Sequence, residues 1–321
     1  MHHSTPRTGI AMSFICLFIL GIMPVIANSR PDGSNALEFA FALSVWQSIF
    51  ALPMFLHELS SGKKGIFNRS LARKDLVRVA LVNLATGMMF GLATWCYILS
   101  MERAGTVSAS IAIQAYPLFA IIMEVLLLHR WKTVLETVFT LILVLALYYL
   151  GTCGTWRLQG ISMWFIAALG VPVLWSIAHV LIRQELMYTP ITPAQVTFFR
   201  VILSTLFLGG IFVVKAQADV SSLLRAELVW PAMVMGLFYY TELLVWFHAM
   251  QHIDVSLASA ITTPWPAVTM VLAAIFLNER IETYQVAVFC VVGTSVYALL
   301  LADSKKLGIK NPDSTRHSRV R

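Results

Sequence analysis

The sequence predicts an all-α integral membrane protein with ten transmembrane helices arranged as two inverted five-helix repeats. Three observations predict it. Of 321 residues, 58% are hydrophobic and 12% charged, with a mean hydropathy of +0.77, whereas soluble domains carry about 25% charged residues. Apolar runs of about 20 residues recur along the chain, as a hydrocarbon layer of about 30 Å requires at 1.5 Å per residue. Finally, runs separated by a constant offset of 149 share residues.

The spans start near Gly9, Ala36, Leu76, Gly105, Thr133, Gly160, Pro193, Val229, Val255 and Thr283. They finish near Ser29, Phe55, Ser100, Leu128, Gly151, Ile182, Val214, Ala249, Leu277 and Ala302. Short connections make consecutive helices antiparallel neighbours. The first run resembles a signal peptide ending at Val25-Ile26-Ala27, but its apolar stretch exceeds the usual core of such peptides. It is read as a retained helix.

Charge sets the orientation. Sixteen Lys and Arg residues fall on one side, including Lys63, Lys64, Arg69, Arg130, Lys132 and the tail from Lys305 to Arg321; six fall on the other. The positive-inside rule then places both termini in the cytoplasm, with the chain in the plasma (inner) membrane. The formal charge of +7 is spread between and after apolar runs, which fits topology and not a nucleic-acid face. Cys16, Cys96 and Cys290 lie in apolar runs and Cys153 in a loop, with no metal-ligand spacing or disulfide framework. No phosphate-binding glycine loop, zinc motif or nucleophile elbow is present. Neither a cofactor nor an enzymatic activity is expected.

The repeat is read by setting the run from Tyr97 against the run from Trp246. Met101 then matches Met250, Ala109 Ala258, Ser110 Ser259 and Pro117 Pro266, with Tyr116 opposite Trp265. A second pair of runs, from Ser44 and Thr197, places Gln47 opposite Arg200. Residues 1–152 form the first repeat, 153–302 the second and 303–321 a basic cytoplasmic tail. Five helices per repeat is an odd number, so the halves enter the membrane from opposite sides. Proline removes a helical hydrogen bond, a costly fault in lipid. A single proline reads as a packing kink. Pro117 and Pro266 at matched positions, with Pro264 beside the second, read as helix breaks lining a shared cavity near the midplane.

At these residues the chain resembles the drug/metabolite transporter superfamily, specifically its EamA-like ten-helix members. The resemblance is carried by the Ala258–Pro266 run, by Leu277-Asn278-Glu279-Arg280-Ile281 after the ninth helix and by Phe199-Arg200. It implies a bundle of ten helices carrying small organic solutes, often outward. The first repeat departs from the pattern, with Leu128-His129-Arg130-Trp131 where Glu-Arg is expected and Gln47 where arginine is. Glu279 and Arg280 are read as a helix-end anchor.

Ionisable groups inside spans are functional suspects. Arg200 lies roughly 10 Å and Glu242 roughly 11 Å from the cytoplasmic side, so the two could meet, either as a structural ion pair or at a substrate. Glu124, roughly 6 Å from that surface, is the proton-carrier candidate. Helical spacing places Ser110, Gln114, Pro117 and Glu124 on one face. It does the same for Tyr239, Glu242 and Trp246, and for Trp175, His179 and Arg183, while Asn83 and Thr86 begin a further stripe. His179 and His248 are read as interfacial. Trp265, wedged between Pro264 and Pro266, is the tryptophan expected to touch solute. Gln47, Trp95, Gln114, Tyr116, Trp175, Arg200, Tyr239, Glu242 and Trp246 complete the candidate set for binding and coupling. A polar vestibule open to the cytoplasm and an aromatic outer constriction are expected.

The function expected is a secondary active transporter, exporter or exchanger, moving a small polar or amphipathic metabolite by alternating access. Two acids and one base hint at a zwitterion such as an amino acid or an amine. The alternatives are a membrane-embedded enzyme or a non-transporting sensor on the same fold; a channel lacks a ring of charge or a carbonyl filter. The partners are a small-molecule solute and the lipid bilayer, with a homodimer compatible and nucleic acid excluded.

Overall fold

A computed structural model describes residues 6–30, 34–62, 65–67, 72–116, 118–119, 134–157, 163–215, 223, 225–253, 258 and 261–309. Among the described residues there are ten α-helices. The first repeat holds α1 (Pro6–Asn28), α2 (Ala36–Ser60), α3 (Arg73–Ala104), α4 (Thr106–Ile113) and α5 (Val134–Gly151). The second holds α6 (Met163–Tyr188), α7 (Pro193–Lys215), α8 (Ala226–His252), α9 (Trp265–Phe276) and α10 (Thr283–Ile309). Six of them, α1 to α3 and α6 to α8, are long and apolar enough to cross a membrane; α5, α9 and α10 contribute shorter apolar stretches. Large exposed apolar side chains such as Leu81, Leu141, Leu145, Leu206, Val213 and Ile275 cover the outside. Lipid is the solvent that such a surface fits.

Local sequence fixes the helix starts. Asn35 accepts a hydrogen bond from Leu37 N at 2.9 Å at the head of α2. At α7, Thr192 Oγ1 accepts from Gln195 N at 3.2 Å while Gln195 Oε1 accepts from Thr192 N at 3.4 Å. That is a reciprocal capping box, with Pro193 at the first helical position where its missing N–H costs nothing.

Helix contacts pair off when each helix is exchanged with the one five places later. The packing of α3 on α6 is matched by α8 on α1, that of α3 on α7 by α8 on α2, and that of α1 on α9 by α6 on α4. The pairs α2 with α7, α4 with α9 and α5 with α10 are their own counterparts, so they straddle the pseudo-two-fold axis. Glycines mark the equivalent crossings at the same offset of 149. A Cβ on Gly87 of α3 would lie 2.5 Å from Leu203 Cβ and 3.4 Å from Arg200 O of α7. A Cβ on Gly236 of α8 would lie 2.8 Å from Trp46 Cβ and 2.9 Å from Leu43 O of α2. Only glycine lets these backbones approach so closely.

The helix breaks are matched too. In the first repeat α4 stops at Ile113, and Leu118 N donates to Ala115 O at 2.9 Å. In the second, Ala267 N donates to Pro264 O at 2.9 Å as α9 begins. Both bonds span three residues rather than four, a tightened turn on either side of the axis. The ninth span is therefore not one continuous helix: α9 opens at Trp265, with Pro264 as its N-cap. Pro117 itself lies outside the described residues. Two further boundaries differ from the sequence reading, as α6 runs on to Tyr188 and α10 to Ile309.

At one end of the bundle Arg30 pairs with Glu102, which also meets Arg103 at 2.9 Å. There Asn28 Nδ2 donates to Thr106 Oγ1 at 2.9 Å, and Gln285 Nε2 to Ser108 Oγ at 2.9 Å. At the opposite end Arg78 meets Glu185 at 3.1 Å, and Thr192 donates to Glu58. Phe55 also stacks on Phe198 there, with ring centroids 4.1 Å apart.

Candidate functional site

Between the two helix breaks lies a cavity with about 720 Å³ of empty space, its mouth included. Both repeats line it. Leu20 of α1, Phe90 of α3, and Ile113, Gln114 and Tyr116 at the end of α4 come from the first. Trp175 and His179 of α6, Arg200 of α7, Tyr239, Glu242, Leu243 and Trp246 of α8, and Thr262, Thr263 and Trp265 at the second break come from the other. Phe90, Trp175 and Tyr239 each fall within two residues of the middle of their helices. The cavity therefore sits at mid-depth in the bundle.

Eight of the candidate residues meet here: Gln114, Tyr116, Trp175, Arg200, Tyr239, Glu242, Trp246 and Trp265. The spacing of Tyr239, Glu242 and Trp246 along α8 puts all three on the cavity wall, as one helical face requires. Arg200 is buried, at 2% exposure. Its guanidinium lies 3.3 Å from the centroid of the Phe90 ring and interacts electrostatically with Tyr239. Glu242 faces the same guanidinium across the cavity and interacts with it electrostatically. No ion pair within 4.0 Å joins them among the described residues. The expected contact between the two helices is thus electrostatic, with the Phe90 ring against the arginine.

Tyr116 and His179 are bonded, with the phenol oxygen 3.2 Å from His179 Nδ1. This corrects the interfacial placement of His179. The helix carrying it is six residues longer than its apolar run suggested, ending at Tyr188 and not near Ile182. His179 is therefore nine residues from the helix end, against the Phe90 and Phe247 rings. His248 does sit in the last turns of α8, with Nδ1 2.7 Å from Leu244 O.

Several polar atoms around the cavity have no hydrogen-bond partner among the described residues although they are buried. They are Gln114 Nε2 and Oε1, Trp175 Nε1, His179 Nε2, Arg200 Nη1 and Trp246 Nε1. Buried polar groups in native proteins are nearly always paired, so a cluster of exceptions calls for an explanation.

Four described candidates are not among the lining residues: Pro264 and Pro266, which flank the lining Trp265, and Gln47 and Trp95. Gln47 is buried on α2 at the crossing with Gly236, with Nε2 unpaired. It holds the position that corresponds to Arg200, but its backbone is pressed against α8. Trp95 lies toward the far end of α3, with Lys215 Nζ 4.7 Å from its ring centroid. Ser110, Asn83 and Thr86 are bonded to carbonyls of their own helices. Glu124, the Arg183 side chain and residues 128–131 lie outside the described residues. Glu279 is away from the cavity, where its Oε1 accepts from Val107 N at 3.2 Å and closes the first turn of α4. Phe90 was missed in the sequence. The signal was available, because Phe90 stands opposite Tyr239 at the repeat offset of 149.

The described residues hold no group of three or more His, Cys, Asp or Glu side chains placed to bind a metal ion. The profile of the EamA-like transporter family matches residues 7–152 and again 162–301. No curated protein matches the chain. One crystal structure superposes with a TM-score of 0.61 over 92% of this chain and 98% of its own, at 13% identity, a likeness that shows the fold alone.

Proposed function

Since the chain belongs to the EamA-like transporter family, we propose that it is a secondary active transporter carrying a small polar or amphipathic metabolite through the mid-depth cavity by alternating access. It is a multi-pass membrane protein and not an enzyme. The observation that carries the reading is the coincidence of three features. The cavity lies between the repeats, it is framed by matched helix breaks, and it is lined by buried polar atoms left without partners. Inverted repeats with interrupted helices at the midplane are the architecture of secondary transporters.

Transport then works by one repeat rocking against the other about the α2–α7 and α4–α9 contacts. Solute binds while the cavity is open to one side and leaves after the rocking opens the other. With both termini in the cytoplasm of the inner membrane, the Arg30–Glu102 end faces outward. The Asn28–Thr106 and Glu279–Val107 bonds stitch α1, α4 and the end of α9 together there.

Purified protein in liposomes, screened across a metabolite panel with and without a pH gradient, tests the function. Saturable flux lost in Arg200→Ala is the expected result, and wild-type flux in that variant would remove Arg200 from the pathway. Cys153, exposed between α5 and α6, tests the orientation. A membrane-impermeant thiol reagent should label it from outside intact cells.

A further inference from the structure

We propose that the cavity accepts an organic monoanion: a small carboxylate with a flat apolar body, its oxygens held by Arg200, Gln114 and the indole N–H groups of Trp175 and Trp246. This deepens the transport reading, since it rests on the same cavity being the solute site.

Four buried donors there lack an acceptor: Gln114 Nε2, Trp175 Nε1, Trp246 Nε1 and Arg200 Nη1. Indole and guanidinium N–H groups can only donate. Against them stand one unpaired buried acceptor, Gln114 Oε1, and His179 Nε2, which donates or accepts according to its tautomer. The imbalance is what a carboxylate answers, with two oxygens and about four lone-pair sites. Three of the donor-bearing residues are themselves more than nine-tenths buried: Arg200 at 2%, Gln114 at 3% and Trp246 at 7% exposure.

The arginine is also set up to receive a second partner. Phe90 covers one face of the guanidinium, and Nη1 has no hydrogen-bond partner among the described residues. Glu242 faces it without an ion pair within 4.0 Å, so the N–H fork is not already closed by a carboxylate. Arg200 is the one Lys or Arg among the lining residues, so the site has at most that one guanidinium to set against an anion, enough for a single negative charge and not for a dianion such as a phosphate. The remaining wall is apolar and aromatic, with Phe90, Ile113, Leu243 and Trp265 presenting surface to a ring or a short alkyl chain. Charge-assisted bonds from a guanidinium to a carboxylate are about twice as strong as neutral ones, so this contact carries the selectivity.

The test uses the full chain purified in detergent, with binding of benzoate, benzamide, benzylamine and phenylalanine followed by calorimetry and by tryptophan fluorescence. Benzoate should bind saturably, and tighter than benzamide and benzylamine by about tenfold or more, as one charge-assisted contact implies. Arg200→Gln should weaken benzoate by about tenfold or more. Trp175→Phe and Trp246→Phe, which keep a ring and lose the N–H, should each weaken it several-fold while thermal unfolding is unchanged. These two variants carry the test if Arg200→Gln does not fold. The inference is overturned if benzoate shows no saturable binding, if benzylamine or phenylalanine binds more tightly, or if the folded variants bind benzoate like the wild type. Binding without flux would sink the transport reading alone; flux of another solute without benzoate binding would sink this inference alone.

Discussion

The two repeats share a scaffold and differ in chemistry. Gly87 and Gly236 mark equivalent crossings, and Leu118–Ala115 and Ala267–Pro264 are equivalent backbone bonds at the two breaks. Yet both charged residues in the cavity, Arg200 and Glu242, belong to the second repeat, as does His179. Their counterparts Gln47 and Ala93 are neutral, and neither is among the lining residues. A two-fold frame is required for a motion that exposes one site to both sides, and glycines and helix breaks supply it in both halves. A binding site has no such requirement. A solute is asymmetric, so one half can carry the charge while the other supplies Gln114, Tyr116 and an aromatic floor for the arginine.

The largest expected effect removes that difference. Arg200→Gln gives the second repeat the residue of the first and should lower flux about 100-fold, the lower part of the range for losing a buried hydrogen-bonded charge. Flux within threefold of wild type would mean that the charge is structural. Next comes the shared frame. Gly236→Ala sets a methyl against the α2 backbone and should cost about 1–3 kcal/mol in detergent unfolding. Gly87→Ala, whose Cβ would lie 2.5 Å from Leu203 Cβ, should cost a similar amount. A neutral Gly236→Ala would break the equivalence of the crossings. Glu279→Ala removes the acceptor at Val107 N and should cost about 1 kcal/mol, as for other lost helix caps, with solute affinity unchanged. Smallest is Lys215→Ala, which removes the cation from the Trp95 ring and should cost about 0.5 kcal/mol. A large loss of flux there would return Trp95 to the pathway.

Much of the frame was legible in the sequence because bilayer thickness fixes span length and proline marks the breaks. The α8 stripe was legible because residues three and four apart share a helical face, and so was the approach of Arg200 to Glu242. Depth was read less well. His179 was judged by the end of an apolar run, but α6 continues through Arg183, Gln184 and Glu185 before it stops at Tyr188. Rotation about the helix axis was harder still. Repeat alignment sets Gln47 opposite Arg200 without saying which neighbour the side chain meets. Trp95 shows the same gap, since an aromatic ring on a span serves a cation such as Lys215 as readily as a solute. The helix α9 opens at Trp265 between Pro264 and Pro266, where a missing N–H is a local fact independent of packing.

The most direct test uses Gln114 and Thr263, one residue from each repeat at the same offset of 149. With Cys16, Cys96, Cys153 and Cys290 replaced, Gln114→Cys and Thr263→Cys would each be exposed to a charged methanethiosulfonate reagent, beside the lipid-facing control Leu81→Cys. The account predicts that both cavity cysteines react and the control does not. Two folded variants whose cysteines stay as unreactive as the control would show that no watered cavity joins the halves.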